Sequence, residues 1–541
     1  MSKTIREVTF DLLRNLDMTT IFGNPGSTEE TFLENFPSDF RYILTLQEAS
    51  AVGAADGYSQ ITGKVGLVSI HTTPGICNSM SNIFSAYMNK TPMIIVAGNQ
   101  TREMLLLEPW LSNPDPEVVP RPFVKWSYQP VRAEDVPAAF MRAYAAALQP
   151  PCGPVFLSIP LDDWDKPALE DVAAVRQVSN SMGPNPETIK EFAEQINKAQ
   201  NPVLIYGSDI ARSNGWDIAE RVAEKLQAPV WAAPGSERAP FKESHALYCG
   251  GLPFAIEPLA QKLEGHDLVL IVGAPMFRYF PYSPGEYFPK DMKVLHISDD
   301  PNETARAPMG NSLVSNAKLA LEYLNEFLEI RAMRFDPINR QPHGLSYYSL
   351  DYENENELAA LSLFEILRQA IPDNAILVEE SPSNLAALHT AWKIVEPKSY
   401  FTFASGSLGW GLPASVGIAL AEKDKKDEGR PVVSIIGDGA LQYAIQGLYT
   451  AVQQELPMLI VVPDNEEYGI LKSFAKFQNN PNVPGLNLPG INIELLAKGY
   501  GCDSYTTNKP EEIEKITQEA FKKNKPTVLV VPIDPTIPSL I

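Results

Sequence analysis

The sequence predicts an α/β protein built from three doubly wound parallel sheets, and two observations support this fold class. Short apolar runs alternate with helix-length segments through most of the 541 residues, as expected for parallel strands covered by helices on both faces. Two long polar stretches, residues 162–188 and 331–357, interrupt the alternation and are typical of linkers. They separate three units, each with the size of one α/β domain.

The predicted strands are the apolar runs, and they fall into the same three units. We expect strands at 42–46, 65–70, 93–97 and 154–159, then at 203–206, 268–272 and 293–297, and finally at 375–378, 432–436, 458–462 and 527–531. The corresponding domains are residues 1–180, 185–330 and 358–541.

Composition argues against several classes of function. The net charge of −22 disfavours nucleic acid and anionic membranes as partners. The four cysteines, Cys77, Cys152, Cys249 and Cys502, are far apart in the sequence, so we expect reduced thiols and no metal site built from them. The first residues lack the apolar core of a secretion signal, and no apolar stretch reaches the roughly 20 residues of a membrane span. We therefore expect a cytoplasmic protein.

Two predicted strands of the third unit end on oxygen-bearing side chains. Strand 432–436 is followed by Asp438, and strand 458–462 is followed by Asn465. A right-handed crossover would make the strands parallel and bring both ends to the edge where such sheets bind ligands. Asp438 and Asn465 would then converge on one cation. Mg²⁺ suits this position because it prefers oxygen ligands and bridges carboxylates to phosphates.

The residues around Asp438 suit a phosphate group. Gly437 and Gly439 leave the backbone open to an anion, and a helix predicted at 440–454 would direct its amide dipoles at that anion. Gly-Asp-Gly alone is a common turn. The apolar runs on either side and Asn465 at this spacing favour a metal-bound diphosphate instead.

This spacing resembles the GDG…NN motif of thiamine diphosphate enzymes, with Asp464 in place of the first asparagine. Longer blocks, among them "FGNPGSTEETFLENFPSDFRYILTLQEASAVGAADGYSQ", "ARAPMG" and "SLGWGLPASVGIALA", resemble the benzoylformate decarboxylases and extend from Phe22 to Gly501. The resemblance implies a pyrimidine-binding, a central and a diphosphate-binding domain. It implies thiamine diphosphate and Mg²⁺ as cofactors, with Ca²⁺ as a substitute metal.

By this resemblance the metal ligands would be Asp438, Asn465 and the backbone carbonyl of Glu467. Pro382 and Ala440 stand where the family has hydroxyl side chains, so two hydrogen bonds to the cofactor would be lost. The residues implied to contact the diphosphate are Ser381, Ser383, Gly437, Asp438, Gly439, Ala440, Tyr468 and Gly469.

Three further residues would act on the thiamine rings, as their counterparts do in the family. Glu48 would bind the pyrimidine N1′ and favour the tautomer that takes the thiazolium C2 proton. The Gly406 carbonyl would accept from the cofactor amino group, and Leu408 would hold the cofactor in its bent shape. Taken without the resemblance, Glu48 could instead complement a helix dipole, and Leu408 could pack in the core.

Two residues of the first unit would bind and protonate the substrate by the same resemblance. A serine at the position of Ser27 binds the substrate carboxylate, and a histidine at that of His71 transfers protons. His71 also follows predicted strand 65–70 and precedes a Gly/Pro loop, which suits a titrating side chain. Alternatively, His71 could be a satisfied buried imidazole, and Ser27 a helix N-cap in a capping box with Glu30.

The sequence departs from the family at the predicted substrate wall. Phe280 replaces a second active-site histidine, so one proton-transfer group is lost, and carboligation would fit that loss. Ile470 is larger than the family residue and would favour smaller aliphatic 2-oxo acids. Leu471 and Phe474 follow on the same segment. Alternatively, Ile470, Leu471 and Phe474 could simply pack a helix against the core.

The resemblance implies non-oxidative decarboxylation of a 2-oxo acid to an aldehyde and CO₂, through the cofactor ylide and an enamine. The main alternative is a carboligase of the benzaldehyde lyase or acetolactate synthase kind. A nicotinamide dehydrogenase is disfavoured because no GxGxxG opens a helix after a strand. FAD binding by the central domain and a non-catalytic scaffold stay open. Family members share each site between subunits, which implies at least a dimer and usually a homotetramer.

Overall fold

The chain forms three six-stranded sheets, each parallel throughout, which confirms the predicted fold class. The structure is a computed structural model that describes residues 2–332, 357–537 and 539–540. The second predicted linker, 331–357, therefore lies almost entirely outside the described residues. Within the described part of the chain, no helix is long and apolar enough to cross a membrane. All four cysteines are free thiols.

The first sheet contains β1 (Thr20–Gly23), β2 (Arg41–Leu44), β3 (Gly66–Ile70), β4 (Met93–Asn99), β5 (Ser127–Tyr128) and β6 (Pro154–Pro160). Its strand order is β2-β1-β3-β4-β6-β5. The helices of this domain are α1 (Ile5–Asn15), α2 (Glu30–Leu33), α3 (Glu48–Thr62), α4 (Thr72–Met88) and α5 (Val136–Leu148). Every residue of β3 and β4 is buried, so both strands are apolar runs without alternation.

The central sheet contains β7 (Pro202–Tyr206), β8 (Val230–Ala232), β9 (Tyr248–Gly251), β10 (Leu268–Val272), β11 (Lys293–Ser298) and β12 (Asn311–Val314). Its strand order is β12-β11-β10-β7-β8-β9. The surrounding helices are α6 (Pro186–Lys198), α7 (Ser208–Arg212), α8 (Trp216–Leu226), α9 (Ile256–Lys262), α10 (Pro301–Arg306) and α11 (Ala317–Phe327). Asn185 caps α6, so this helix begins inside the stretch predicted as the first linker.

The third sheet contains β13 (Ile376–Glu380), β14 (Tyr400–Phe401), β15 (Val432–Ile436), β16 (Met458–Asp464), β17 (Asp503–Thr506) and β18 (Thr527–Pro532), in the order β14-β13-β15-β16-β18-β17. Its helices are α12 (Ala360–Ala370), α13 (Leu385–Ala391), α14 (Gly411–Asp424), α15 (Asp438–Gln442), α16 (Gly447–Gln453), α17 (Gly469–Phe477), α18 (Ile493–Tyr500) and α19 (Pro510–Ala520). Because β13, β15 and β16 are parallel neighbours, their carboxyl ends lie together.

The predicted helix 440–454 is wrong in its extent. It consists of α15, which begins two residues earlier, and α16, with turns between them at 443–446. The intervening residues pack against other segments. A β-carbon on Gly409 would lie 2.9 Å from that of Tyr443, and the Gln446 amide lies 3.3 Å from the Ser50 hydroxyl of α3. These contacts redirect the chain after Gln442.

Helices α3 and α14 join the first and third domains at backbone contact. A β-carbon on Gly57 would lie 2.1 Å from the Ala414 carbonyl oxygen, and one on Gly417 would lie 1.9 Å from that of Ala54. Only glycine allows this approach. Residues 411–422 of α14 are all buried, as expected for a helix that is apolar on every face.

We predict that Gly417→Ala lowers the apparent melting temperature by about 2–4 °C or more, because the added methyl group forces α3 and α14 apart. Gly499→Ala is the matched control. Gly499 is exposed near the end of α18, and its β-carbon would have no atom within 4 Å. Alanine there should leave stability unchanged or raise it. Equal melting temperatures for the two variants would contradict the close packing of α3 on α14.

Candidate active site

His71 lies at the carboxyl end of β3, directly before α4. Its Nδ1 lies 2.9 Å from Oε2 of Glu29 and 3.1 Å from the Thr28 hydroxyl. The buried Glu29 carboxylate also accepts from the N–H groups of Gly26 and Gly98, at 3.0 and 2.7 Å. The hydrogen bond to Glu29 favours the imidazolium and raises the pKa of His71 above its ordinary value. His71 is thereby suited to hold and release a proton near neutral pH.

The loop between β1 and α2 fits closely around His71. A β-carbon on Gly26 would lie 2.1 Å from the His71 Nδ1, so only glycine fits there. Ser27 follows in the loop and is exposed. The predicted capping box is wrong, because the N-cap of α2 is Glu29, with no side-chain hydrogen bond to the helix. The Glu29 side chain is instead engaged with His71.

Thr72 follows His71 in a strained backbone conformation. Its φ is +38°, a value that β-branched residues rarely adopt. The residue is fully buried, and its hydroxyl has no hydrogen-bond partner among the described residues. Strain of this kind concentrates at functional sites, which supports the placement of the site around His71.

Glu48 is the first residue of α3 and is buried. The Gln47 side chain caps the helix by accepting from the Ser50 N–H at 3.2 Å. Oε2 of Glu48 accepts from the side-chain amide of Asn78 on α4, at 3.1 Å. A β-carbon on Gly75 would lie 3.4 Å from the Glu48 side chain. Helix α4 therefore both orients this carboxylate and covers one side of it.

Residues 404–409, here called the cofactor loop, contain Gly406 and Leu408. Gly406 and Gly409 have φ values of +72° and +96°, which favour glycine. Leu408 is partly buried and packs against the core shared by the first and third domains. The Glu380 carboxylate, at the end of β13, accepts from the N–H groups of Gly409 and Gly411. Burial raises the pKa of Glu380 to about 8.

Helix α4 of the first domain also holds the cofactor loop. Its contacts come from side chains at positions i, i+3 and i+7, which share one helix face. The Asn82 amide donates to the Gly409 carbonyl at 3.1 Å. The Ser85 hydroxyl lies 2.8 Å from that of Ser405. The Asn89 Oδ1 accepts from the Ala404 N–H at 2.9 Å. The loop is thus positioned from outside its own domain.

The predicted diphosphate contacts lie together at the carboxyl edge of the third sheet. A β-carbon on Gly437 would lie 3.8 Å from the hydroxyl of Ser381, which directly follows the neighbouring strand β13. One on Gly469 would lie 3.1 Å from the Ser383 hydroxyl and 3.2 Å from the Asn465 amide. The three segments that carry these residues therefore meet at one place.

Gly439 makes the closest approach in this group. A β-carbon there would lie 2.6 Å from the Tyr468 ring and 2.8 Å from Leu488, so a larger residue would displace both. Asp438 and Ala440 flank it at the start of α15 and are buried. The backbone of this turn is therefore accessible only to a group that fits between these side chains.

The predicted substrate wall brings the central and third domains together. The rings of Phe280 and Phe474 lie 4.9 Å apart at an angle of 42°, although Phe280 is 60 % exposed. Ile470 lies one turn before Phe474 on α17 and shares its face. Leu471 is exposed beside them. The two residues that contact each other in this wall, Phe280 and Phe474, are both apolar.

The contacts of the site residues fall into separate groups. Those of His71 and Glu48 lie within the first domain, and those of Asp438 and Asn465 lie within the third. Three side chains that orient these groups were missed from the sequence, namely Glu29, Asn78 and Glu380. Glu380, next to Ser381 at a predicted strand end, could have been found from its position. The other two come from contacts between distant segments.

Three segments of the chain match domains of one family. Residues 3–115 match "Thiamine pyrophosphate enzyme, N-terminal TPP binding domain", residues 189–324 match its central domain, and residues 383–531 match its C-terminal TPP binding domain. The chain belongs to the thiamine pyrophosphate enzyme family. Thiamine pyrophosphate, the diphosphate predicted from the sequence, is therefore its cofactor.

Relatives within the thiamine pyrophosphate enzymes are similar over the full chain. The chain is 40 % identical to benzoylformate decarboxylase of Pseudomonas aeruginosa, over 98 % of this chain and 99 % of that protein. Benzoylformate decarboxylase from Polynucleobacter necessarius has a crystal structure with a TM-score of 0.94 and 48 % identity, covering 99 % and 100 % of the two chains. The 4-hydroxybenzoylformate decarboxylase of Rhodococcus jostii RHA1 has a TM-score of 0.92 and 37 % identity over the same shares.

The third-domain residues fit a thiamine pyrophosphate that is bound with a divalent cation. Burial, together with the neighbouring Asp464, raises the pKa of Asp438 to about 7, and burial raises that of Asp464 as well. A divalent cation beside these carboxylates would offset both their burial and their repulsion. Among the described residues, no cluster of three or more His, Cys, Asp and Glu side chains suits a metal. The predicted metal ligands would not form such a cluster, because they include the Asn465 side chain and a backbone carbonyl.

We predict that Glu29→Gln lowers the pKa of His71 toward the ordinary histidine value, because the neutral amide stabilises the imidazolium less than the carboxylate does. A ¹H–¹³C NMR titration of the imidazole signals, assigned with a His71→Gln variant, measures this change. Glu30→Gln, which alters the exposed neighbouring carboxylate, is the matched control and should leave the titration unchanged. An unaltered His71 titration in Glu29→Gln would show that the carboxylate does not govern this proton.

Proposed function

We propose that this chain catalyses the non-oxidative decarboxylation of a 2-oxo acid to an aldehyde and CO₂. The observation that carries the proposal is the His71–Glu29 pair, a histidine with a raised pKa beside the loop that exposes Ser27. An acid–base group next to a binding site for a carboxylate is what this reaction needs. The full-length similarity to two benzoylformate decarboxylases supports the same reaction.

The first domain, residues 1–180, is assigned to the pyrimidine ring of the cofactor. When bound, thiamine pyrophosphate would supply a nucleophilic carbon for the keto group and a cationic thiazolium ring to accept the electron pair left by CO₂. The buried Glu48, oriented by Asn78, would hold a proton at the pyrimidine N1′. Gly406 would offer its carbonyl to the cofactor amino group, and Leu408 would support the cofactor from the cofactor loop.

The third domain, residues 358–541, is assigned to the diphosphate and its metal. Asp438, Asn465 and the Glu467 carbonyl would hold Mg²⁺, or Ca²⁺ in its place, and Asp464 would add negative charge at the same edge. The N–H group of Glu467 donates to the Asn465 side-chain oxygen at 3.2 Å. This hydrogen bond holds the Asn465 side chain against the backbone of Glu467. The residues assigned to the diphosphate are Ser381, Ser383, Gly437, Gly439, Ala440, Tyr468 and Gly469.

The substrate binds between the first domain and the apolar wall. Ser27 donates a hydrogen bond to its carboxylate, and His71 gives a proton to the developing product. Phe280 has no proton to give, so His71 is the titratable side chain assigned to this step. The benzoylformate and 4-hydroxybenzoylformate decarboxylases among the relatives favour an aryl 2-oxo acid. Ile470 favours a smaller aliphatic one by narrowing the pocket.

The active unit is proposed to be at least a dimer, and in its full form a dimer of dimers. The first-domain and third-domain groups would then come from different subunits, which accounts for their separate contacts within one chain. Residues 104–111 of the first domain expose large apolar side chains, with Leu106 and Trp110 92 and 94 % exposed. Apolar surface of this kind marks interfaces. A second copy of the chain would cover it.

One observation favours a second candidate function, the joining of two aldehydes or 2-oxo acids by a carboligase. The wall formed by Phe280 and Phe474 replaces a proton donor by a ring. A slower final protonation would leave time for a second carbonyl compound to react. The product would then be a 2-hydroxy ketone instead of an aldehyde.

We predict that aldehyde forms from benzoylformate or an aliphatic 2-oxo acid only when thiamine pyrophosphate and Mg²⁺ are both present. Aldehyde is measured with a coupled alcohol dehydrogenase, and the reaction mixture is also separated by chromatography for 2-hydroxy ketones. Asp438→Asn should lower cofactor affinity and aldehyde formation together, because it removes a metal-binding carboxylate. Ketone without free aldehyde, from protein that binds the cofactor, would favour the carboligase and contradict the proposal.

We predict that Ile470→Ala raises kcat/KM for benzoylformate relative to pyruvate by about tenfold or more, because it widens the pocket by several methylene volumes. The ratio of kcat/KM for the two acids in each variant is the measurement. Leu495→Ala, on the exposed surface of α18, is the matched control and should not change the ratio. An unchanged ratio in Ile470→Ala would remove this residue from the substrate wall.

A further inference from the structure

The carboxyl edge of the central sheet is filled by a side chain from the first domain. Doubly wound sheets bind ligands at this edge, where β7 and β11 are followed here by Asp209 and Asp299. The ammonium of Lys90 lies 3.1 and 3.0 Å from the two carboxylate oxygens of Asp209 and 3.0 Å from Asp299. The side chains of Lys90 and Asp209 are 12 and 3 % exposed. The position of a ligand is therefore occupied by a buried lysine.

The loops at this edge leave little further room. A β-carbon on Gly207 would lie 2.4 Å from the Gly273 carbonyl oxygen, and one on Gly273 would lie 2.7 Å from the Asp209 side chain. The two glycine turns that follow β7 and β10 are therefore packed against each other. A phosphate group, which approaches glycine backbones in such sheets, has no open turn to enter.

Arg212 completes this group, here called the junction cluster, which consists of Lys90, Asp209, Arg212, Glu237 and Asp299. Arg212 donates to Asp209 through Nε and Nη2, at 3.0 and 2.6 Å, and pairs with Glu237. Burial disfavours the charge of Lys90, but Asp209 and Asp299 outweigh it and raise the pKa of the ammonium. Burial raises the pKa of Asp299, whereas Lys90 and Arg212 lower that of Asp209. Each ionisable side chain of the cluster lies beside a residue of the opposite type, as a buried ionic group requires.

The junction cluster connects directly to the cofactor loop through Asn89. This residue is fully buried, precedes Lys90, and forms hydrogen bonds to all three domains. Its carbonyl accepts from Nη1 of Arg212 at 3.3 Å, its amide donates to Asp56 of α3 at 2.9 Å, and its Oδ1 accepts from the N–H of Ala404, the first residue of the cofactor loop.

A second path links the same two regions. The Glu237 carbonyl accepts from the N–H of Thr402 at 2.9 Å, two residues before the cofactor loop. The neighbouring Arg238 donates from Nε to Gln60 of α3 at 3.1 Å. Central-domain residues therefore contact both the chain that enters the cofactor loop and the helices that hold it.

We propose that Lys90 and Asn89 are positioning residues for the cofactor: Lys90 fills the ligand position of the central sheet and, through Asn89, holds the cofactor loop in place. This inference rests on the proposed function for the role of that loop. The central domain then acts as a fixed support for cofactor binding. It does not bind a nucleotide of its own.

Thiamine pyrophosphate affinity tests the proposal without any measurement of turnover. The cofactor is titrated at fixed Mg²⁺ while tryptophan fluorescence is recorded, since Trp410 adjoins the cofactor loop. Lys90→Met should weaken binding by about tenfold, a typical effect of breaking a network that connects to a site. At saturating cofactor, KM for the 2-oxo acid should stay within about twofold. Lys64→Met, which removes a partly exposed lysine paired with Asp17, is the matched control and should not change affinity.

If Lys90→Met does not fold, Asp299→Asn tests whether the junction cluster positions the cofactor loop. It keeps the pairing of Lys90 with Asp209 and removes one of two carboxylate partners, so cofactor binding should weaken by roughly threefold. Unchanged cofactor affinity in the folded variants, with only a lower melting temperature, would overturn the positioning role.

Saturable binding of ADP or FAD to the unaltered protein, measured by calorimetry, would overturn the claim that Lys90 fills the carboxyl edge of the central sheet. Normal cofactor binding without aldehyde formation would contradict only the proposed function.

Discussion

Helix α4 is the constraint on which the rest of the site depends. His71 precedes its first turn, Asn78 orients Glu48, and Asn82 and Ser85 hold the cofactor loop, with Asn89 at its carboxyl end. A single helix thus connects His71 and Glu48, the residues assigned to proton transfer, with a loop of another domain, and in the proposed dimer that loop belongs to the neighbouring site. Small movements of catalytic groups are costly in rate, so a helix shared in this way would keep the two sites aligned with each other.

Two interdomain contacts keep α4 in place. The backbone contact of α3 with α14 sets the distance between the first and third domains, because Gly57 and Gly417 leave no space for a shift. The junction cluster fixes the end of α4 against the central domain through Lys90. All three domains therefore contribute to one geometry, although the residues assigned to cofactor chemistry come from the first and third domains.

The sequence was sufficient to predict the fold. All eleven predicted strands are strands in the structure, because parallel strands buried on both faces are continuous apolar runs. The strands that were not predicted have two to four residues, such as β5 and β14, too short for a period to emerge. The break between α15 and α16 was missed since it depends on contacts with Gly409 and Ser50, which lie far away in the sequence.

The supporting side chains of the site could not be predicted in the same way. Glu29, Asn78 and Asn89 act by hydrogen bonds to residues distant in the sequence, and no local pattern distinguishes them from surface glutamates or asparagines. The alternative N-cap role of Ser27 is wrong because α2 begins only at Glu30, with Glu29 as its N-cap. The motif residues Asp438 and Asn465, by contrast, come shortly after β15 and β16, so their position at the carboxyl edge of the sheet follows from the topology, while their roles stay predictions.

The most direct test of this account is a crystal structure with thiamine pyrophosphate and Mg²⁺ bound. We expect the Glu48 carboxylate to bind the pyrimidine N1′ while it retains its hydrogen bond to Asn78. We also expect the diphosphate to lie against Gly437–Gly439 of a partner subunit, with the cofactor loop still held by Asn82, Ser85 and Asn89. A pyrimidine ring bound away from Glu48, or a cofactor loop released from α4, would contradict it.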